Sequence, residues 1–130
     1  IVDFPIEAVT GAEPLTGSTR MKSGTAQKLI LNMISIATMV KLGKVYENLM
    51  IDIQMSNDKL VSRAVGIVVD VTGVGEEVAK LYIDKFKSVK HAIFAIISKI
   101  DDSEDIDKVL SKFNGNIREA LKYSMTLGDI

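Results

Sequence analysis

Residues 29–40 read LILNMISIATMV, and this run restricts the fold more than any other stretch. It is apolar nearly all round a helix, interrupted only by Asn32, Ser35 and Thr38. A helix of that kind is buried on most sides. It is too short for a bilayer span, which takes roughly 20 apolar residues, so the expectation is a buried helix and no membrane partner. The chain has 130 residues, one domain's worth, and what remains beyond the run is hardly enough to cover it. Missing partners or self-association follow as the expectation.

The flanks of the run set its limits. Ser18 or Thr19 can cap a helix that Gly43 ends, which predicts one long helix from about Thr19 to Leu42. Gly11, Pro14 and Gly17 make residues 10–18 a loop. IVDFPIEAV at 1–9 reads as one short strand whose sheet partners lie elsewhere, as in a piece of a longer protein. VYENLMIDIQM at 45–55 fits a helical turn or an extended connector. Ser56 or Asn57 caps a helix to about Val71, and residues 72–75 form a loop.

The rest of the chain repeats itself. EVAKLYIDKF at 77–86 matches EDIDKVLSKF at 104–113, offset by 27 residues, and VKHAI at 89–93 matches IREAL at 117–121 with one residue inserted near Asn114-Gly115. Each unit reads as two short helices joined at a Phe-x-x turn. Two such hairpins are too few for a solenoid. They are expected to form a compact appendage on the 57–71 helix, so the chain as a whole is mainly α.

Chemistry concentrates at the entrance of the long helix. TGSTRMKSGTAQK at 16–28 holds five hydroxyls, two glycines, one arginine and two lysines. The first turn of a helix has unpaired N–H groups and about half a positive charge. Gly17, Ser18 and Thr19 can cradle an anion such as phosphate there, with Arg20 or Lys22 adding full charge. Simple capping by Ser and Thr explains the hydroxyls as well. The Walker pattern Gly-x-x-x-x-Gly-Lys-Ser/Thr is absent, so no nucleotide is implied.

Other candidates are weaker. His91 is the sole histidine, and no acid or nucleophile is indicated near it, so a packed or surface role is expected. The acidic run 101–105 lacks the spacing of a calcium loop and fits a helix start, so no metal is expected. The six methionines fall mostly in apolar runs and read as core filler. Net charge is −1, which gives no field for nucleic acid, and cysteine is absent, which fits a reducing cytoplasm and excludes a thiolate nucleophile.

GAEPLTGSTRMKSGTAQK at 11–28 closely resembles the signature of the family that joins the bacterial N-acetylmuramic acid 6-phosphate etherases to the animal glucokinase regulatory protein. Gly11, Ala12, Glu13, Gly17, Ser18, Thr19, Arg20, Lys22 and Lys28 carry the match. LGKVYENLMIDIQMSNDKL at 42–60 resembles the etherase branch, and the hairpins resemble its small helical C-terminal region, ubiquitin-associated-like in packing. The resemblance implies a parent protein with an α/β sugar isomerase (phosphosugar-binding) domain. Residues 1–50 would be the end of that domain and 51–130 a small helical domain. It implies a cytoplasmic, homodimeric lyase that takes a sugar phosphate without metal or organic cofactor, and removes D-lactate to leave N-acetylglucosamine 6-phosphate. The family's acid/base glutamates lie upstream of Ile1, so the chain alone is expected to be inactive. A non-catalytic sugar-phosphate sensor is the alternative, and an independent helical interaction module a third reading. The resemblance makes Gly17, Ser18, Thr19, Arg20 and Lys22 the phosphate-binding candidates. Glu13 stands five residues before Ser18, the spacing of a sugar-pocket glutamate in the wider isomerase family. A carboxylate that only complements the helix dipole is its alternative role.

Overall fold

The computed structural model describes residues 3–17 and 20–127, which divide into one compact unit up to Thr38 and a second from Met39. Six helices and a two-stranded sheet occupy the described residues.

In the first unit, residues 3–10 run as irregular chain beside the helix α1, Met21–Lys41. The strand expected at 1–9 is not formed over 3–9. Among the described residues no neighbouring strand pairs its backbone, and an unpaired strand gains nothing over solvated coil. The long helix forms as expected, starting at Met21, but the expectation that it is buried fails. None of its residues is buried, and Leu31, Met33 and Ile36 are about three-fifths exposed. Helix propensity and its i→i−4 bonds suffice to form the element, whereas burial needs apolar surface that this chain does not supply. Most of the methionines do not serve as core filler, though Met55 packs against the core. Met21, Met33, Met50 and Met125 are exposed, while Met39 and Met55 are half-buried.

In the second unit, Gly43 ends α1 at φ +63°, with its N–H on the Val40 carbonyl at 3.0 Å. The ambiguous stretch 45–55 resolves as strands β1 (Val45–Tyr46) and β2 (Leu49–Met50), paired antiparallel with Val45 opposite Met50. Ile51 follows into the core and is 1% exposed. Asn57 caps α2 (Asp58–Thr72) by accepting the Leu60 N–H at 3.0 Å, and Gly73 closes it at φ +73°.

The two repeats form the expected hairpins, α3 (Glu76–Phe86) with α4 (Val89–Ser98), and α5 (Ser103–Lys112) with α6 (Ile117–Leu127). Their correspondence is physical as well as sequential. Ala79 and Ile106, Ile83 and Leu110, Val89 and Ile117, Ala92 and Ala120, Ile93 and Leu121 are all buried. Ser88 and Asn116 cap the second helix of each pair. The inserted residue is absorbed where Asn114 (φ +52°) and Gly115 (φ +77°) follow one another in the left-handed region. Only the first hairpin packs broadly on α2; α5 and α6 pack on each other and on α4, which corrects the expectation that both hairpins sit on that helix. Phe94 of α4, fully buried, lies in the core.

Candidate functional site

The entrance of α1 is held by the loop before it. Gly11 (φ +69°) and Gly17 (φ +129°) take backbone conformations that side chains resist, so the loop can turn back on the helix. Glu13 then meets the first turn. Its Oε2 accepts the Lys22 N–H at 3.0 Å and its Oε1 accepts the Ser23 N–H at 3.1 Å. In return the Lys22 ammonium donates to the Ala12 carbonyl at 2.9 Å. These two clasps close the loop onto the helix through residues nine and ten positions apart.

The backbone N–H groups of Lys22 and Ser23 hold the Glu13 carboxyl below the ordinary glutamate range. A carboxylate stabilised in its charged form is a weak proton acceptor. The carboxylate faces the first-turn N–H groups, where it complements the helix dipole. The same N–H groups would have been donors to a phosphate; here they are occupied by the chain's own anion.

The cations stand free of that clasp to different degrees. Arg20 is exposed, its carbonyl accepting the Gly24 N–H at 3.1 Å, and its guanidinium has no partner among the described residues. Lys22 keeps two further N–H donors on its ammonium. Lys28 is exposed one and a half turns on. Gly17 is exposed at the loop's end, and Ser18 and Thr19 lie outside the described residues. Beside Lys22 an open hollow of about 580 Å³ is lined by Thr10, Pro14, Met21, Thr25, Ala26 and Leu29. The loop and helix start thus bring Glu13, Gly17, Arg20 and Lys22 into one region of the first unit.

His91 has the partners that the sequence did not indicate. Its Nε2 lies 2.9 Å from Asp107 Oδ1 and its Nδ1 lies 2.9 Å from Ser88 Oγ. In the tautomer that donates Nε2–H to Asp107, Nδ1 accepts the Ser88 hydroxyl proton. Ser88 is the cap of α4, so the trio ties the start of α4 to α5. Ser88, three residues before His91, was not singled out in the sequence, although serine is a common cap. Asp107 carried no such signal, since only the fold brings α5 there. The acidic run is likewise used locally. Asp102 accepts the Glu104 and Asp105 N–H groups, Asp101 pairs with Lys85, and Asp105 pairs with Lys108.

Residues 47–112 match a family model described as the C-terminal lid domain of glucokinase regulatory protein. The chain is also similar to proteins named N-acetylmuramic acid 6-phosphate etherase. It is 51% identical over 92% of its length to one from an Exiguobacterium species, covering 40% of that protein. Identity is 50% over 92% of the chain to one from Clostridioides difficile, with 40% of that protein covered. For one from Pseudothermotoga lettingae it is 49% over 95%, with 41% covered. The chain spans about two fifths of the length of the curated relatives it matches.

Proposed function

The chain belongs to the family of the C-terminal lid domain of glucokinase regulatory protein, and from that premise we propose that the whole protein is an N-acetylmuramic acid 6-phosphate etherase. The observation that carries the proposal is the run of relatives with that name, about half identical to nearly all of this chain. That identity extends through the etherase-like stretch 42–60 as well as the helix entrance, and it favours the enzyme over a regulatory sensor.

In this reading the sugar phosphate loses D-lactate from its C3 ether. A base removes the C2 proton, the lactyl oxygen leaves with a proton from an acid, and water adds to the unsaturated sugar. Residues 1–50 are the end of the sugar isomerase domain and 51–130 the helical domain. The exposed sides of α1 are the surface that the rest of the isomerase domain and a second subunit cover in a cytoplasmic homodimer. Gly17, Ser18, Thr19, Arg20 and Lys22 hold the phosphate at the helix entrance. Glu13 fixes the loop that carries them and takes no proton. The exposed Arg20 and the spare donors of Lys22 support this division of roles. The C2 base and the ether acid come from the part of the protein beyond this chain.

The experiment is to incubate the whole protein, and separately the 130-residue chain, with N-acetylmuramic acid 6-phosphate and to assay D-lactate. Release by the whole protein alone is the expected result. Binding of the sugar phosphate without lactate release would make the protein a sensor. Release by the 130-residue chain at a comparable rate would move the acid and base into residues 1–130.

A further inference from the structure

The internal repeat shows what the turn of such a hairpin requires. The first hairpin passes from α3 to α4 through Lys87 (φ +51°), with neither asparagine nor glycine between Phe86 and Val89. The second has Asn114-Gly115 in the corresponding place, both in the left-handed region. Of the five asparagines, Asn114 alone precedes a glycine. That order has a chemical consequence. The backbone nitrogen of the next residue can attack an asparagine side-chain carbonyl, and glycine hinders the approach least because it has no Cβ. Asn114 is exposed, so water reaches its amide. The attacking nitrogen is restrained by the fold. The Gly115 N–H donates to the Leu110 carbonyl at 2.9 Å, and the Gly115 carbonyl accepts from the Lys90 ammonium at 3.1 Å. An N–H held on a carbonyl keeps its proton and is not free to attack.

We propose that Asn114 is a site of spontaneous deamidation, gated by the turn between α5 and α6, and that its product no longer fits that turn. When the turn opens, the Gly115 nitrogen bonds to Asn114 Cγ and the bond from Cγ to Nδ2 breaks. The nitrogen's proton leaves with Nδ2 as ammonia, and a five-membered succinimide closes. Water then opens the ring at one of its two carbonyls and leaves aspartate or isoaspartate. Isoaspartate routes the main chain through its own Cβ, which lengthens the backbone by one atom. The extra atom arrives where there is least room. A Cβ on Gly43 would already run into the Gly115 carbonyl, so backbone lies against backbone there. Modification therefore parts the turn from Gly43 and from Lys90.

The whole protein and the free peptide FNGNIR (113–118) are held side by side at mildly alkaline pH, and each asparagine is followed by peptide mass and fragmentation. Conversion of amide to acid is expected at Asn114 and at no other asparagine, about tenfold or more slower in the protein than in the peptide, as for a site reached only on opening. Lys90→Met keeps the aliphatic stem and removes the hydrogen bond to Gly115. It is expected to speed conversion about two- to tenfold, the worth of one hydrogen bond, with helical circular dichroism verifying the fold. Absence of conversion at Asn114 while the peptide converts overturns the proposal. Equal rates in protein and peptide, or no acceleration in Lys90→Met, overturn the gate. The product is tested against Asn114→Asp, which carries the new charge on an ordinary backbone. The fraction labelled by an isoaspartate methyltransferase is expected to lose exchange protection at the Gly115 amide, and Asn114→Asp to retain it. Equal protection in the two overturns the parting of the turn.

Discussion

At the scale of single residues, Glu13 and Lys22 do most to define the site, and they do it by clasping the loop in opposite directions. Glu13 titrates below its ordinary value of 4.5 because the Lys22 and Ser23 N–H groups favour its charged form. A carboxyl lowered in the folded state contributes stability above its unfolded pKa and loses it as pH falls through the folded one. The expected outcome is that the Lys22 and Ser23 amides lose protection, measured against the intrinsic exchange rate at each pH, as the medium becomes more acidic than pH 4.5, and that Glu13→Gln brings the same loss of protection to neutral pH. Amide exchange resolved by residue checks both. Protection at the two amides that ignores pH and the substitution would remove the clasp. Lys22 has a second task in the proposed site. Lys22→Ala in the whole protein is expected to raise the KM for the sugar phosphate about ten- to a hundredfold, the loss of one charge-assisted phosphate contact, with kcat changed less. An unchanged KM takes Lys22 out of the site. Sequence alone pointed to this entrance through its hydroxyls and cations, yet left the role of Glu13 open. The clasp joins residues nine and ten positions apart, a distance that no helical or strand period reports.

Among the elements, the turn at Gly43 is tightly placed within the second unit. Gly43 sits at φ +63°, and a Cβ there would run into the Gly115 carbonyl carbon and oxygen and approach the Asn116 nitrogen at 2.9 Å. The neighbour is backbone, which cannot swing aside. Lys90, whose burial lowers its pKa, secures the same turn by donating to the Gly115 carbonyl at 3.1 Å. Gly43→Ala therefore combines a left-handed backbone cost of about 1–2 kcal/mol with a backbone clash. The expected result is a fall in Tm of roughly 4–8 °C for each kcal/mol lost, read by thermal unfolding. A Tm within a degree of the parent chain would mean that the turn and its neighbour move apart freely. Gly43 was legible as a helix stop, and the hairpins were legible from Phe86, Phe113 and the matched apolar positions. The contact between Gly43 and Gly115 was not, because it depends on how α4, α5 and α6 stack. Nor were β1 and β2, whose two-residue strands are below the length at which alternation can be recognised.

For the molecule as a whole, the main discrepancy between sequence and structure is the long helix. Its twelve-residue apolar run pointed to burial, and α1 instead exposes Leu29, Leu31, Met33, Ile34, Ile36 and Val40. The apolar pattern was read correctly as chemistry and wrongly as geometry. Burial is a property of the partners an element has, and none of the described residues of this run is buried. The irregular segment before it is similarly open, with Phe4 and Val9 about nine-tenths exposed. Large contiguous apolar surface on a folded chain, beyond a few hundred Å², marks an interface. Each kilocalorie of association draws on apolar area at about 25 cal/mol per Å², so a helix with half a dozen open aliphatic side chains has ample driving force to pair. The 130-residue chain is accordingly expected to self-associate through α1. Light scattering at working concentration is the measurement, with Leu31→Glu and Ile36→Glu together as the variant. Both positions are exposed, so the charges leave the core of the second unit intact and are expected to shift the chain towards monomer. A parent chain that is monomeric over the same concentrations would show that α1 folds its apolar side away without a partner. A variant that still associates would place the contact elsewhere on the molecule.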